Sequence, residues 1–236
     1  MRISWDNMGE RLYTLGVEKG VLYRQSAGAY NRGYAWNGLT SVNESPSGAD
    51  EQKFYADNIL YGSIRGAEDF GGTIECYTYP DQFGECNGEI EIVQGVKGNQ
   101  QGRKPFGLSY VNKIGNDEDG MDHGYEIHLI YGATCSPSEK QHQTVNDSPS
   151  AETMSFSFAC TPVKTSAAPK PMSHITINST TVDSEKLAQL EAILYGTDAD
   201  AENNIEATEP RLPLPDEIKQ IFAGTTVTPA NPGTGD

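Results

Sequence analysis

The sequence is short of basic residues. Lys and Arg number 17 against 33 Asp and Glu in 236 residues, which gives a formal net charge of −16. A protein that binds nucleic acid by neutralising phosphates needs an excess of Lys and Arg, so that class of function is excluded. The acidity is also uneven, because residues 183–236 hold eleven acidic and three basic side chains, a net of −8.

Long apolar runs are missing as well. No eighteen consecutive apolar residues occur, so no membrane-spanning helix and no membrane partner are expected. The first residues, MRISWDNMGERLY, lack the apolar run of a signal peptide, which predicts folding in a cytoplasm. There the four cysteines, Cys76, Cys86, Cys135 and Cys160, are expected to stay reduced. Their spacing includes no CxxC pair, which disfavours a zinc knuckle.

Motifs of catalysis and cofactor binding are absent from the sequence. It contains no GxSxG, no Walker loop and no GxGxxG, so no catalytic residue and no cofactor are predicted. Its four histidines, His123, His128, His142 and His174, have neither HxH nor HExxH spacing, so none is assigned to a metal. Paired carboxylates are abundant but expected by chance in an acidic chain, so a cell-wall hydrolase is the weaker alternative.

One acidic segment is a candidate calcium site. Asp117, Asp119 and Glu126, with Gly120, match positions three, five, twelve and six of an EF-hand loop. Position one is Gly115, which offers no side-chain ligand, and Glu126 falls in a strand-like segment instead of a helix. An exposed acidic hairpin turn is therefore the preferred interpretation.

The sequence does have the alternation of β strands. Apolar residues recur at every second position, with turn residues between the segments. The clearest segments are VLYRQ at 21–25, GGTIECYTY at 71–79, KPFGLSYVNKI at 104–114, GYEIHLIY at 124–131, AETMSFSF at 151–158 and HITIN at 174–178. Six to nine strands predict a mainly β fold, an antiparallel sandwich or barrel.

One helix is predicted over 184–195. Asp183 or Ser184 can cap its first turn, and Gly196 supplies the stop. Its apolar stripe should pack on the sheet and consists of Leu187, Leu190, Ile193 and Leu194. An acidic loop over 198–210, a short docked helical turn within RLPLPDEIKQIF at 211–222 and a flexible tail over 223–236 are expected to follow.

Residues 43–62, NESPSGADEQKFYADNILYG, show a regular pattern but contain no catalytic or ligand-binding motif. Residues 43–52 are polar and turn-rich, which predicts a loop. Strand-favouring residues such as Phe54 and Tyr55 follow. The connection is longer than a tight hairpin needs, and such loops are usually functional or mobile.

The chain resembles the major tail protein, or tail tube protein, of long non-contractile-tailed bacteriophages of Gram-positive bacteria. The resemblance is carried by AWNGLTSVNESPSGADEQKFYADNILYGSIRGAEDFGGTIECYTYPDQFGECNG, RKPFGLSYVNKIGNDEDGMDHGYEIHLIYGATCSPSEKQHQTVNDSPSAETMSFSF, VDSEKLAQLEAILYGTDAD and PRLPLPDEI. It covers most of residues 1–222, which we expect to form a single domain. The segment AENNIEATE at 201–209 looks like an insertion, and the residues after 222 are too few for the immunoglobulin-like domain that some relatives carry.

The resemblance implies a β-sandwich or barrel flanked by a helix, in subunits that form six-fold rings stacked into a hollow tube. Such a tube surrounds the tape measure protein, meets the tail terminator and distal tail proteins at its ends, and conducts DNA without binding it specifically. The expected location is the virion, after assembly in the host bacterial cytoplasm. Residues 43–62 would be an arm to a neighbouring subunit or ring, with Glu44, Pro46, Ser47, Phe54, Tyr55, Asp57 and Asn58 as interface candidates. A β-sandwich module that binds a surface receptor or carbohydrate is the alternative.

Overall fold

The structure, a computed structural model, describes residues 2–48, 50–145, 147–148, 150–199 and 207–224. This part of the chain contains fourteen strands and three helices, so the predicted mainly β fold is confirmed. The strands are β1 (Tyr13–Arg24), β2 (Gly33–Ala35), β3 (Leu39–Glu44), β4 (Ser47–Gly48), β5 (Glu51–Ala56), β6 (Ile59–Arg65), β7 (Glu68–Asp69), β8 (Gly71–Cys76), β9 (Ile90–Val93), β10 (Val96–Gly98), β11 (Phe106–Asn116), β12 (Gly120–Cys135), β13 (Met154–Cys160) and β14 (His174–Asn178). The helices are α1 (Phe83–Cys86), α2 (Ser184–Tyr195) and α3 (Pro215–Ala223).

One antiparallel sheet organises the molecule. Its strands follow the order β2-β1-β11-β12-β13-β8-β3, and β14 pairs with β12 beside this path. The 16-residue β12 is long enough to pair with β14 over 126–130 and with β13 over 133–135. The sheet curls so that β1 and β3 come into contact: a Cβ placed on Gly20 would lie 2.9 Å from Leu39 Cδ2. The result is consistent with the expected β-sandwich.

The curled sheet has a hydrophobic core on each of its two faces. The inner core contains Leu22, Phe106 and Phe156, among others. The outer core lies between the sheet and the helices and includes Tyr23 and Leu190. Because both faces of β1 are covered here, Leu22 and Tyr23 are adjacent in sequence and yet both fully buried.

The predicted helix over 184–195 is confirmed as α2. The carboxylate of Asp183 accepts hydrogen bonds from the backbone N–H groups of Glu185 and Lys186, as an N-cap does. Gly196 ends the helix with a positive φ of 76°. Of the predicted stripe, the three leucines Leu187, Leu190 and Leu194 are buried, and Ile193 packs against them partly exposed.

The helical turn expected within 211–222 is a nine-residue helix, α3, so two helices of similar length flank the sheet where one was predicted. Pro215 is accepted at its start because the first helical N–H groups have no partner within the helix. Ile218 and Ile221 are buried against α2 and the sheet. An ion pair between Arg211 and Glu217, with an Nη1–Oε2 distance of 2.7 Å, links the segment before α3 to the first turn of that helix.

Several boundaries differ from the sequence prediction. β1 begins at Tyr13, eight residues before the predicted segment, and the β9–β10 hairpin was missed entirely. Most of the predicted acidic loop and tail lies outside the described residues. Backbone hydrogen bonds between Thr197 and Thr208 join the two ends of that loop.

Candidate functional site

A long two-stranded ribbon projects from the edge of the sheet. The pairing of β3 with β8, where Glu44 faces Gly72, continues with Ser47 opposite Asp69 and Glu51 opposite Arg65. We call residues 45–70 the arm. Twelve residues, 45–56, lie between Glu44 and the turn at Asp57, so at about 3.3 Å per residue the arm reaches at most about 40 Å.

The arm ends in a tight two-residue turn. Asp57 and Asn58 have positive φ angles of 50° and 64°, the conformation of a type I′ turn, whose twist matches paired strands. Asp and Asn tolerate this region because their short side chains can bond locally. The prediction of a loop over 43–52 is therefore wrong, since these residues include the end of β3, all of β4 and the start of β5.

The distal half of the arm exposes large apolar side chains on both faces. Within the described part of the chain, strands β5 and β6 pair only with each other. The exposed fractions are 43% for Phe54, 68% for Tyr55, 64% for Ile59, 51% for Leu60, 71% for Tyr61 and 64% for Ile64. An isolated two-stranded ribbon is marginally stable in water, and contiguous apolar exposure marks an interaction surface. The arm therefore has the properties of an element that is completed by a partner.

Two further apolar surfaces lie elsewhere on the chain. The hairpin β9–β10 exposes Ile90, Ile92, Val93 and Val96 by 50–67%. The N-terminal segment exposes Ile3, Trp5, Met8 and Leu12 by 60–80%. Alternation in the stretch IEIVQGV at 90–96, with Gly95 at the turn, was the sequence signal that could have identified the hairpin.

The β9–β10 hairpin is anchored at its base by a buried carboxylate. Glu89 is 7% exposed, and its Oε1 accepts a hydrogen bond from Lys140 Nζ at 3.0 Å. The hydroxyl of Tyr79 also donates to this carboxylate. Burial acts to raise the pKa of Glu89, but the hydrogen bond and charge of Lys140 outweigh it, so the pKa is lowered.

The structure divides the predicted interface residues into two groups. Six of the seven lie exposed on the arm. Pro46 and Ser47 are near its root, whereas Phe54, Tyr55, Asp57 and Asn58 form its distal end. Glu44 differs from the others, because it ends β3 with a side chain only 27% exposed, in contact with two histidines.

Glu44, His128 and His174 form a compact triangle beneath the root of the arm. Glu44 Oε1 lies 3.3 Å from His128 Nδ1 and 3.2 Å from His174 Nε2, and the two nitrogens are 3.2 Å apart. His128 faces Thr176 across the β12–β14 pair, and His174 faces Ile130, so the histidines are diagonal neighbours on one face. Their side chains are 12% and 19% exposed.

Aromatic rings hold the two imidazoles in place. Tyr110 lies parallel to the His128 ring at 4.6 Å, and Phe70 stacks on His174 at 4.9 Å. The Tyr110 hydroxyl also donates a short hydrogen bond to Glu44 Oε1. Burial alone raises the pKa of Glu44, but the hydrogen bonds of His128 and Tyr110 outweigh it and the pKa is lowered. Burial lowers the pKa of His174.

Sequence reasoning did not find this triangle. Its members are 84 and 46 positions apart and lie on three strands, so no local spacing relates them. His128 alternates with Ile127 and Leu129 along β12, and its side chain is partly exposed while theirs are fully buried. Among the described residues this is the one group of three or more His, Cys, Asp or Glu side chains whose ligand atoms all lie within 4.8 Å.

The calcium candidates do not converge. Asp117 accepts a hydrogen bond from the Gly9 N–H, whereas Asp119 contacts His123 Nδ1 at 2.9 Å. Glu126 lies farther along β12, where its carboxylate accepts a hydrogen bond from Asn178. These three carboxylates therefore do not form a ligand set, and the EF-hand interpretation is wrong. The acidic segment is a hairpin turn between β11 and β12.

No protein-family model matches this chain, and no curated protein matches it significantly. Within the described residues, no helix is long and apolar enough to span a bilayer.

Proposed function

We propose that this protein is a structural subunit that assembles into stacked hexameric rings and forms the tail tube of a long non-contractile bacteriophage tail. The proposal rests mainly on the arm, a ribbon whose large apolar side chains are 43–71% exposed and whose distal strands pair, within the described residues, only with each other. A ribbon that lacks a core of its own gains stability when a neighbour covers it.

The partner of the arm is a second copy of the same chain. Ring and stack contacts join different surfaces of identical subunits, so the receiving surface must also be present on the chain. The β9–β10 hairpin and the N-terminal segment are exposed apolar surfaces of the required kind. An arm with a reach of up to about 40 Å can extend across a neighbouring subunit.

The tube surrounds the tape measure protein during assembly in the host cytoplasm and later conducts DNA from the virion. The tail terminator and distal tail proteins are its partners at the two ends. A net charge of −16 suits a conduit, because acidic walls repel phosphates and let DNA slide without specific binding.

The test is electron microscopy of the purified chain over a range of concentrations, with mass by light scattering. The matched variant replaces residues 49–67 by Asn-Gly, which closes a two-residue hairpin between the paired residues Gly48 and Glu68. We expect six-fold rings or tubes from the natural chain and a folded monomer from the variant.

Three results would each refute a part of the proposal. Tubes formed equally well by the shortened variant would show that the arm is not part of the interface between subunits. A small oligomer of another symmetry, with no rings even when tape measure and distal tail proteins are added, would favour the receptor-binding or carbohydrate-binding module. Activity on cell walls that disappears when paired carboxylates are substituted would indicate a hydrolase instead.

A further inference from the structure

We infer that Glu44, His128 and His174 form a binding site for a divalent transition-metal ion of the zinc type. The site is a feature of the single chain and does not depend on tube assembly. It is separate from the apolar surfaces that carry the proposed function, although Glu44 lies at the root of the arm.

The dimensions of the triangle fit a zinc ion. Tetrahedral ligands at about 2.0–2.1 Å from zinc lie about 3.3–3.4 Å from one another. The three edges measured between Glu44 Oε1, His128 Nδ1 and His174 Nε2 are 3.2–3.3 Å. An ion just outside the plane of these atoms reaches all three at bonding distance, and the fourth position stays available to water.

The chemistry of the donors points the same way. Two imidazole nitrogens and one carboxylate oxygen are the donor set of many zinc sites and of other borderline divalent metals. Calcium and magnesium prefer oxygen ligands throughout, so they fit this site poorly. The donors also come from three separate strands: the pairing of β12 with β14 places the two histidines side by side, and Glu44 ends β3 in contact with both before an ion arrives.

Hydrogen bonding alone makes one carboxylate oxygen serve three groups. Glu44 Oε1 already accepts from the Tyr110 hydroxyl, and it faces both imidazole nitrogens. With one of the two facing nitrogens protonated, its single N–H is shared between the other nitrogen, 3.2 Å away, and the carboxylate; with both protonated, the two N–H groups crowd the same oxygen. A cation between the three atoms instead engages both nitrogen lone pairs and the carboxylate oxygen at once.

A second observation concerns the far side of the His128 ring. His128 Nε2 is buried and has no hydrogen-bond partner among the residues that the structure describes. The carboxylate of Glu126 lies 4.0 Å from it, too far for a direct hydrogen bond. A metal-ligating histidine ordinarily donates its second N–H to such a carboxylate. A small movement on metal binding would bring the Glu126 carboxylate within hydrogen-bond distance of the His128 Nε2–H.

The experiment titrates the full-length chain, prepared without a histidine tag and stripped by a chelator. ZnCl2 is followed by calorimetry and CoCl2 by visible absorption. We expect one ion per chain and the intense visible bands of four-coordinate cobalt. Glu44→Gln and His174→Gln should each weaken zinc binding by more than about 100-fold, beyond the effect of losing an outer-shell partner.

The matched control is His142→Gln, because His142 is 86% exposed beside Glu152 and belongs to no ligand triangle. It should leave the zinc affinity unchanged within experimental error. Circular dichroism of the metal-free variants checks that each is folded. Nitrogen NMR of the natural chain gives a readout independent of substitution: zinc should shift the ring signals of two histidines, His128 and His174, and leave His123 and His142 in place.

The inference is overturned if the natural chain binds no zinc at one equivalent, or if Glu44→Gln and His174→Gln bind as tightly as it does. It is overturned as well if the zinc-shifted ring signals belong to His123 or His142. Failure of tube formation in the electron microscope would leave these measurements unaffected, so the two proposals stand or fall separately.

Discussion

Substitution of a single arm residue, Tyr55→Ala, should separate folding from assembly. Tyr55 is 68% exposed. A covered aromatic side chain buries about 150–250 Å², so roughly 130 Å² of Tyr55 is available to a neighbour. At about 25 cal/mol per Å², its complete coverage in the tube contributes about 3 kcal/mol per contact. Loss of that contact weakens the association of subunits by about 100-fold.

The free energy of unfolding of the monomer should change little, by less than about 0.5 kcal/mol, because the Tyr55 side chain is mostly exposed in the isolated chain. The assay is the critical concentration for tube formation by sedimentation, with thermal unfolding followed by circular dichroism. Val145→Ala is the control, because Val145 is 79% exposed but lies far from the arm in sequence. The reasoning is refuted if Tyr55→Ala assembles at the natural critical concentration, or if it strongly destabilises the monomer.

Three further predictions concern stability and reactivity. Asp183→Ala should lower the free energy of unfolding by about 1 kcal/mol, because two N–H groups at the start of α2 lose their acceptor; Asp183→Asn should retain most of it in the same denaturant titration. Glu89 has a folded-state pKa below its ordinary 4.5, so its ion pair with Lys140 stabilises the fold above that pH, and the contribution is lost as the pH falls through the folded pKa. Acid titrations of the unfolding free energy should therefore be shallower for Glu89→Gln than for the natural chain, and identical curves would contradict the assignment. Burial raises the pKa of three thiols to about 12, those of Cys86, Cys135 and Cys160. The folded chain at pH 8 should therefore react slowly with a disulfide reagent, and all four thiols should react after unfolding. Fast reaction in the folded state would show that these thiols are accessible.

Strands with one covered face were predictable from the sequence. In β8, Ile74 and Cys76 are buried and alternate with partly exposed neighbours, and in β13 Phe156 and Phe158 do the same. The predicted limits of α2 were also correct, because its start and end are set by Asp183 and Gly196 themselves. These features depend on interactions within a few residues, which a sequence displays directly.

The arm shows where local reasoning fails. Its residues are polar near the root and broken by glycines, which is the usual composition of a loop, yet the pairing of β3 with β8 continues along it. Asp57 and Asn58 are turn-forming residue types, but nothing within the segment shows that they reverse the chain between paired strands. Strand pairing is a contact between distant segments, so a single segment cannot reveal its partner.

The class of the fold, the position of α2, the excess of acidic charge and the lack of local catalytic motifs follow from the sequence alone, because each depends on composition or on neighbours along the chain. That Glu44 turns away from the other interface candidates to meet His128 and His174 is a property of the folded chain. The two histidines lie on the paired strands β12 and β14, and the curling of the sheet brings Glu44, at the end of β3, against them. Local periodicity carries no information about such a closure, because it arises from packing between strands that are far apart in the chain.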